Sequence, residues 1–162
     1  MENFDFGAMQ RREQADKVRN YRELNRLAKK GQILFTGSSL MEQFPVAEYC
    51  LSAGLPVTVY NRGIGGTTTD DFLREIDTVL FDLEPAKLFL NIGTNDIDER
   101  RFGEDWREHL LTNYREIMGQ IRERLPGTEV YIMAYYPVNH DLPQPPVWAA
   151  TRTNAAIDEM NG

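Results

Sequence analysis

Four short apolar runs, each bounded by small or polar residues, divide the chain and predict the strands of one sheet. They lie at residues 33–36, 56–60, 87–92 and 129–136. Apolar side chains fill these runs almost continuously instead of alternating with polar ones, which is typical of strands buried on both faces. The pattern therefore predicts a parallel sheet covered by helices on both sides.

Helical spacing fills the segments between the strands. Residues 8–30 contain neither Gly nor Pro and are rich in helix-forming residues, so they predict a long surface helix. Residues 104–125 predict a strong amphipathic helix, whose apolar stripe is Trp106, Leu110, Tyr114, Ile117, Ile121 and Leu125. Shorter helices are predicted at residues 39–51, where Pro45 divides the segment into two pieces, and at residues 67–80 and 147–160. This alternation of helices and strands predicts a single α/β domain.

Composition limits the partners that such a domain would meet. The chain of 162 residues carries 18 Lys and Arg against 25 Asp and Glu, and its net charge of −7 argues against a nucleic-acid or anionic-membrane surface. Cys50 is the only cysteine, which excludes an intrachain disulfide and fits a reducing compartment. No run reaches the roughly 18 apolar residues of a membrane span, and the start lacks a signal-peptide pattern. We therefore expect a cytoplasmic protein with one domain over residues 1–162.

The candidate chemistry lies in the loops that follow the strands. Ser39 follows the first strand, Gly66 the second and Asn95 the third. In an open parallel sheet these loops meet at one edge, where ligands bind. A serine hydroxyl, a backbone N–H unobstructed by a side chain and a side-chain amide are the parts of a site for acyl transfer. The sequence therefore predicts a nucleophile with oxyanion donors at this edge.

Each of these residues also has an interpretation without chemistry. Ser39 and Glu42 fit the S-x-x-E capping box, in which a serine satisfies the free N–H groups of a helix start. The glycines of residues 63–66 fit a tight turn, and Asn95 fits an ordinary turn or cap. A further hypothesis makes residues 63–68 a phosphate cradle at a helix start, although they match neither G-x-G-x-x-G nor a Walker sequence.

Three blocks of the sequence resemble the SGNH or GDSL hydrolases, a family of serine esterases, lipases and thioesterases. The blocks are FTGSSL at residues 35–40, NRGIGGTT at residues 61–68 and GTND at residues 93–96. They occur in the family's order, each at a predicted strand end. Ser38 stands where the usual first block has Asp.

The resemblance implies a role for each candidate residue. Ser39 is implied as the nucleophile, and the backbone N–H groups of Ser39 and Gly66, together with the Asn95 amide, are implied as oxyanion donors. The implied fold is a flavodoxin-like three-layer sheet, and the implied substrate is a small-molecule ester or thioester. No cofactor or metal is expected.

The general base is the point at which the sequence departs from the family. The family's fourth block, Asp-x-x-His near the C-terminus, supplies the base and its orienting acid, and no Asp here has His three residues on. Only His109 and His140 are available, and His140, which follows the fourth strand, is a weak substitute. The alternative to a hydrolase is therefore a binding module that keeps the cleft without its base.

The family's fifth strand and catalytic loop also have no counterpart in the sequence, so we expect a C-terminally truncated domain. In that case the fourth strand becomes a sheet edge that favours self-association, unless the following loop and the last helix cover it.

Overall fold

The computed structural model describes residues 5–143 and 152–162 and confirms the parallel α/β sheet. Within these residues the sheet has four strands, which are β1 (Ile33–Gly37), β2 (Val59–Asn61), β3 (Lys87–Asn91) and β4 (Glu129–Ile132). All pairings are parallel, in the order β2-β1-β3-β4. The carboxyl ends of β1 and β3 therefore lie side by side, where the strand order reverses and open α/β sheets bind ligands.

Eight helices in the described segments connect and cover the strands. They are α1 (Phe6–Leu27), α2 (Ser39–Glu42), α3 (Val46–Ser52), α4 (Thr69–Arg74), α5 (Ile76–Val79), α6 (Glu99–Phe102), α7 (Trp106–Arg124) and α8 (Asn154–Asn161). Short 3₁₀ turns lie at Phe81–Leu83 and Thr94–Asp96. The long helices α1 and α7 confirm the two longest helical predictions. No helix of these segments has the length and apolar character needed to cross a membrane.

Three helical regions differ from the prediction. The helix predicted at residues 67–80 is divided into α4 and α5 at Glu75, whose φ of −109° and ψ of 15° lie outside the helical region. Helix α6 is an additional element that no periodicity in the sequence indicates. The helix predicted at residues 147–160 starts later, because Thr153 is the N-cap of α8, and its predicted residues up to 151 lie outside the described segments.

Three strands are shorter than predicted: β3 by one residue at its end, and β2 and β4 by more. Residues 56–58 stay outside β2, since Pro56 has no N–H to donate and the Val57 N–H bonds locally to Leu55 O at 2.9 Å. Strand β4 ends at Ile132, which pairs with Leu90, and one further backbone hydrogen bond joins Met133 N to Leu90 O at 2.9 Å.

The two faces of the sheet are covered unequally. We call the face that carries Leu34, Leu88 and Leu90 the closed face, because these side chains are completely buried. It packs against α1, α4, α5 and α7 through Val18, Phe72, Ile76, Val79, Ile117 and Ile121. Burial of this apolar surface is the main source of the fold's stability.

We call the opposite face the open face. Its aromatic side chains Phe35, Phe89 and Tyr131 stack in a row across three strands, with ring centroids 4.4 Å and 4.7 Å apart. Among the described residues, the aromatic contact that covers this row is Phe44, between α2 and α3, at 5.7 Å from Phe35. Tyr131 stays 43% exposed. Helices therefore lie on both faces, as predicted, but the second layer is thin.

Strand β4 lies at the edge of the sheet, and α8 covers the chain that follows it. The side-chain amide of Asn161 accepts a hydrogen bond from Tyr135 N at 2.7 Å and donates one to Tyr135 O at 3.0 Å. Asn154 makes the same pair of bonds with Val138, at 2.7 Å and 3.2 Å. The two amides thus satisfy backbone groups that a neighbouring strand would otherwise bind.

Candidate active site

Ser39 opens α2 immediately beyond the end of β1. The predicted capping box is wrong, because Ser38 is the N-cap and no side chain caps the helix. Glu42 instead accepts a hydrogen bond from Gly65 N and pairs with Lys17. Within the described residues the Ser39 hydroxyl makes no hydrogen bond. It is therefore available for chemistry and has no capping role.

Ser39 and Asn95 lie in one cleft at the carboxyl ends of β1 and β3. Its volume is about 250 Å³, and its other lining residues are Ser38, Leu40, Thr94, Tyr136, Pro137, Val138, Arg152 and Ile157. The sheet order therefore brings together the nucleophile and one oxyanion donor that the sequence predicted. Arg152 also lines this cleft, and the sequence did not predict it. It lies far along the chain from the three sequence blocks, and no local pattern marks it as a site residue.

The hydrogen bonds of Asn95 fix the orientation of its amide. Arg152 Nη2 donates to Asn95 Oδ1 at 2.7 Å, and Asn95 Nδ2 donates to Thr67 O at 2.8 Å. A guanidinium only donates, so the amide oxygen must face Arg152. An amide nitrogen carries two N–H bonds, and Thr67 uses one of them. Among the described residues, the second N–H has no hydrogen-bond partner.

Asp96 anchors the same turn from the buried side. It accepts hydrogen bonds from the backbone N–H of Thr69, at 3.1 Å to each carboxylate oxygen, and from the Thr69 hydroxyl. Burial raises the pKa of Asp96 to about 6, against the opposing effect of these hydrogen bonds. Asn113 of α7 donates to the Thr69 hydroxyl at 2.8 Å. Asn95 and Asp96, which are neighbours in the turn after β3, thus bind Thr67 and Thr69 and hold the end of the loop after β2 in place.

Helices α1 and α2 both bind the glycine-rich loop after β2. Tyr21 donates its hydroxyl hydrogen to Gly63 O at 2.8 Å, and Gln14 donates to Gly65 O at 2.9 Å. A Cβ added at Gly63 would lie 2.3 Å from Glu42 N, so only glycine allows α2 to pack this closely. The loop is therefore held from two sides beside Ser39.

The phosphate-cradle hypothesis does not fit the bonds of this loop. Two of its N–H groups already donate to carboxylates, Gly65 N to Glu42 and Thr68 N to Asp71 at 3.0 Å, and the adjoining Thr69 N donates to Asp96. A phosphate would meet negative charge where the hypothesis needs free donors.

Gly66 is not among the lining residues of the Ser39 cleft. It lines a neighbouring cavity between α1 and α4, which Ser39 does not line. Its φ of +73° favours glycine, and a Cβ there would lie 1.9 Å from Gln10 Nε2, so a larger residue would be strained and would force the Gln10 side chain to move. The loop itself is close to the nucleophile, since a Cβ on Gly65 would be 3.8 Å from Ser39 Cβ. The role of Gly66 as an oxyanion donor stays a prediction.

Neither histidine of the chain lines the Ser39 cleft. His109 Nε2 lies 3.0 Å from Asp70 Oδ2, and its ring stacks on Phe102 at 4.8 Å. His140 is exposed in the loop after β4. The described residues therefore place no imidazole next to the Ser39 hydroxyl, and His140 gains no support as a base.

Comparison with known proteins identifies the class to which this fold and site belong. The sequence profile of the GDSL-like lipase/acylhydrolase family matches residues 35–161. The match includes all three blocks and most of the domain. The chain therefore belongs to the GDSL-like lipase/acylhydrolase family.

Solved structures agree with this assignment. A protein from Streptococcus pneumonia, provisionally described as a platelet activating factor, is 30% identical with a TM-score of 0.78, covering 94% of this chain and 68% of that one. A GDSL-like lipase from Bacteroides thetaiotaomicron is 18% identical with a TM-score of 0.70, covering 89% and 69%. An acetyl xylan esterase from Geobacillus stearothermophilus is 14% identical with a TM-score of 0.52, covering 82% and 72%. The last two show a shared fold. No curated protein matches the chain significantly.

Proposed function

We propose that this protein is a serine ester hydrolase that acts by two-step acyl transfer through Ser39. The observation that carries the proposal is the pairing, in one cleft, of an unbonded Ser39 hydroxyl with an Asn95 amide that has one N–H to spare. Family membership supports the reaction class.

In the first step, Ser39 Oγ attacks the carbonyl carbon of the ester and loses its proton to a base. The tetrahedral intermediate collapses, the bond to the leaving oxygen breaks, and the leaving group takes a proton to become an alcohol or a thiol. In the second step, water attacks the acyl-serine, the acid departs and the Ser39 hydroxyl is restored. Both steps place negative charge on the former carbonyl oxygen.

Three donors of the chain serve that oxyanion in the proposal: the spare Asn95 N–H and the backbone N–H groups of Ser39 and Gly66. Arg152 is a positioning residue that keeps the Asn95 oxygen turned away from the substrate. Burial lowers the pKa of Arg152, while the negative charge of Asp98 raises it. A guanidinium next to the amide also favours negative charge in the cleft.

Neither His109 nor His140 lines the Ser39 cleft, so in this proposal another group must accept the Ser39 proton. A serine hydroxyl is a weak nucleophile without a base, and the loss of a triad member costs several orders of magnitude in rate. The absence of an imidazole from the described cleft favours a second candidate function, a binding module that keeps the oxyanion donors but turns over slowly or not at all.

Labelling with a fluorophosphonate, read by intact mass, separates the two functions. We expect one adduct that disappears in Ser39→Ala, persists in the exposed control Ser52→Ala, and forms faster when imidazole is added as an external base. Hydrolysis of short p-nitrophenyl esters should follow the same order. A chain that gains no adduct even with imidazole would exclude an activatable Ser39 and leave the binding module.

A further inference from the structure

A second cavity lies between α1 and α4, on the closed side of the sheet. Its volume is about 640 Å³, within the range of roughly 300 to 1,000 Å³ that small-molecule sites occupy. The apolar side chains of Val18, Ile64, Phe72 and Val79 are among its lining residues, and all four belong to the buried core cluster. The cavity therefore offers an apolar floor continuous with the core.

Three arginines line this cavity. Arg11 comes from α1, Arg74 from α4 and Arg101 from α6. Arg74 is already neutralised by Asp71, at 2.5 Å. Arg101 is 3.9 Å from the same carboxylate, at the limit of an ion pair, and its guanidinium lies over the Phe102 ring at 5.2 Å.

Arg11 has no carboxylate partner among residues 5–143 and 152–162. The nearby Asp5 carboxylate instead accepts the Ala8 N–H at 2.9 Å as the cap of α1. Glu75, the other acidic lining residue, pairs with Arg22 at 2.8 Å. Both acidic side chains of the lining therefore have a closer arginine partner, while Arg11 has no ion pair in the described residues and Arg101 has only the long one with Asp71.

We propose that this cavity binds an anionic amphiphile, with an aliphatic chain on the apolar floor and a carboxylate or phosphate head at Arg11 and Arg101. The apolar floor favours the chain through burial, and guanidinium groups match the geometry of both anions. A cationic ligand would meet the unpaired Arg11 and the weakly paired Arg101, and a fully polar ligand would leave the floor uncovered. The site needs no nucleophile, so it stands independently of the hydrolase proposal.

Titration calorimetry with octyl phosphate tests the site on the whole chain, with octanol as the uncharged counterpart. We expect octyl phosphate to bind more tightly than octanol, and Arg11→Ala to weaken its binding about tenfold, as the loss of about 1.4 kcal/mol requires. Arg12→Ala is the matched control, because Arg12 neighbours Arg11 on α1 but does not line the cavity. Ala15→Phe, which fills the cavity, should abolish binding while the thermal midpoint stays near that of the parent chain.

Amide chemical shifts locate the ligand independently of affinity. The expected changes fall on α1 and α4, and Ser39→Ala should bind octyl phosphate as the parent chain does. Equal affinity of the Arg11→Ala and Arg12→Ala variants, or shifts centred on Tyr136 and Arg152, would overturn the proposal. Either result leaves the labelling of Ser39 unaffected, so the two proposals fail separately.

Discussion

The two faces of the sheet differ in how firmly they hold the parts of the site. On the closed face, Leu34, Leu88 and Leu90 are completely buried, and Asp96 is fixed by buried hydrogen bonds to α4. On the open face, α2 and α3 cover only part of an aromatic row, and Tyr131 is 43% exposed. Ser39, the proposed nucleophile, opens α2 on the lightly covered side. The sheet is thus covered more thinly beside Ser39 than over its core.

The largest effect should come from the core of the closed face. Leu88→Ala removes a completely buried side chain and should lower the free energy of unfolding by about 2 to 5 kcal/mol. Phe89→Ala, the next residue, points to the open face and should cost clearly less, because its side chain is only half-buried. Urea unfolding of both variants measures the difference. Equal losses would show that the open face is as well packed as the closed one.

The next largest effect should come from Asn95, the proposed oxyanion donor. It should appear in the rate of Ser39 labelling and not in stability. Asn95→Ala removes the amide that faces the cleft, and we expect fluorophosphonate labelling of Ser39 to slow by about 10²- to 10³-fold. Asn20→Ala, an exposed asparagine on α1, is the matched control and should label normally. Unchanged labelling in Asn95→Ala would remove this amide from the mechanism.

The buried carboxylate should make stability depend on pH. The pKa of Asp96 is raised from its ordinary value near 4 to about 6, so the folded state binds a proton more tightly than the unfolded state. The stability that protonated Asp96 contributes is complete below pH 4 and is lost as the pH rises to 6. Over that window the loss is on the order of 2 to 3 kcal/mol.

Asp96→Asn removes this dependence, and comparison of the two chains cancels the titration of other carboxyl groups. We expect the free energy of unfolding of the parent chain, measured relative to Asp96→Asn, to fall from pH 4 to pH 6 and then level off. A difference that is constant with pH would mean that Asp96 titrates in the folded state as it does in the unfolded state.

The smallest effect concerns the sheet edge. Asn161→Ala leaves the backbone N–H and C=O of Tyr135 without their side-chain partners, which should cost about 1 kcal/mol. Because this exposes more of the edge beyond β4, self-association should also increase in sedimentation velocity. If Asn161→Ala remained as monodisperse as the parent chain, α8 would not be what protects this edge.

Local sequence was sufficient for the elements that depend on periodicity and strand order. The helical spacing of α1 and α7 and the apolar runs of β1 and β3 are recorded in consecutive residues, so they could be predicted directly. The meeting of Ser39 and Asn95 in one cleft also followed, because the carboxyl ends of adjacent parallel strands share an edge.

Only the tertiary structure decided which side chains hold these groups in place. Arg152 and Asn95 are 57 residues apart, and Glu42 reaches Gly65 across 23 residues instead of closing the local capping box that the sequence suggested. The shortening of β2 and the unequal cover of the two faces likewise depend on neighbours distant in the chain. Periodicity records which face of an element is apolar, whereas a hydrogen bond between distant residues leaves no local pattern. The sequence alone therefore determined where the site lies, and the tertiary structure determined its geometry.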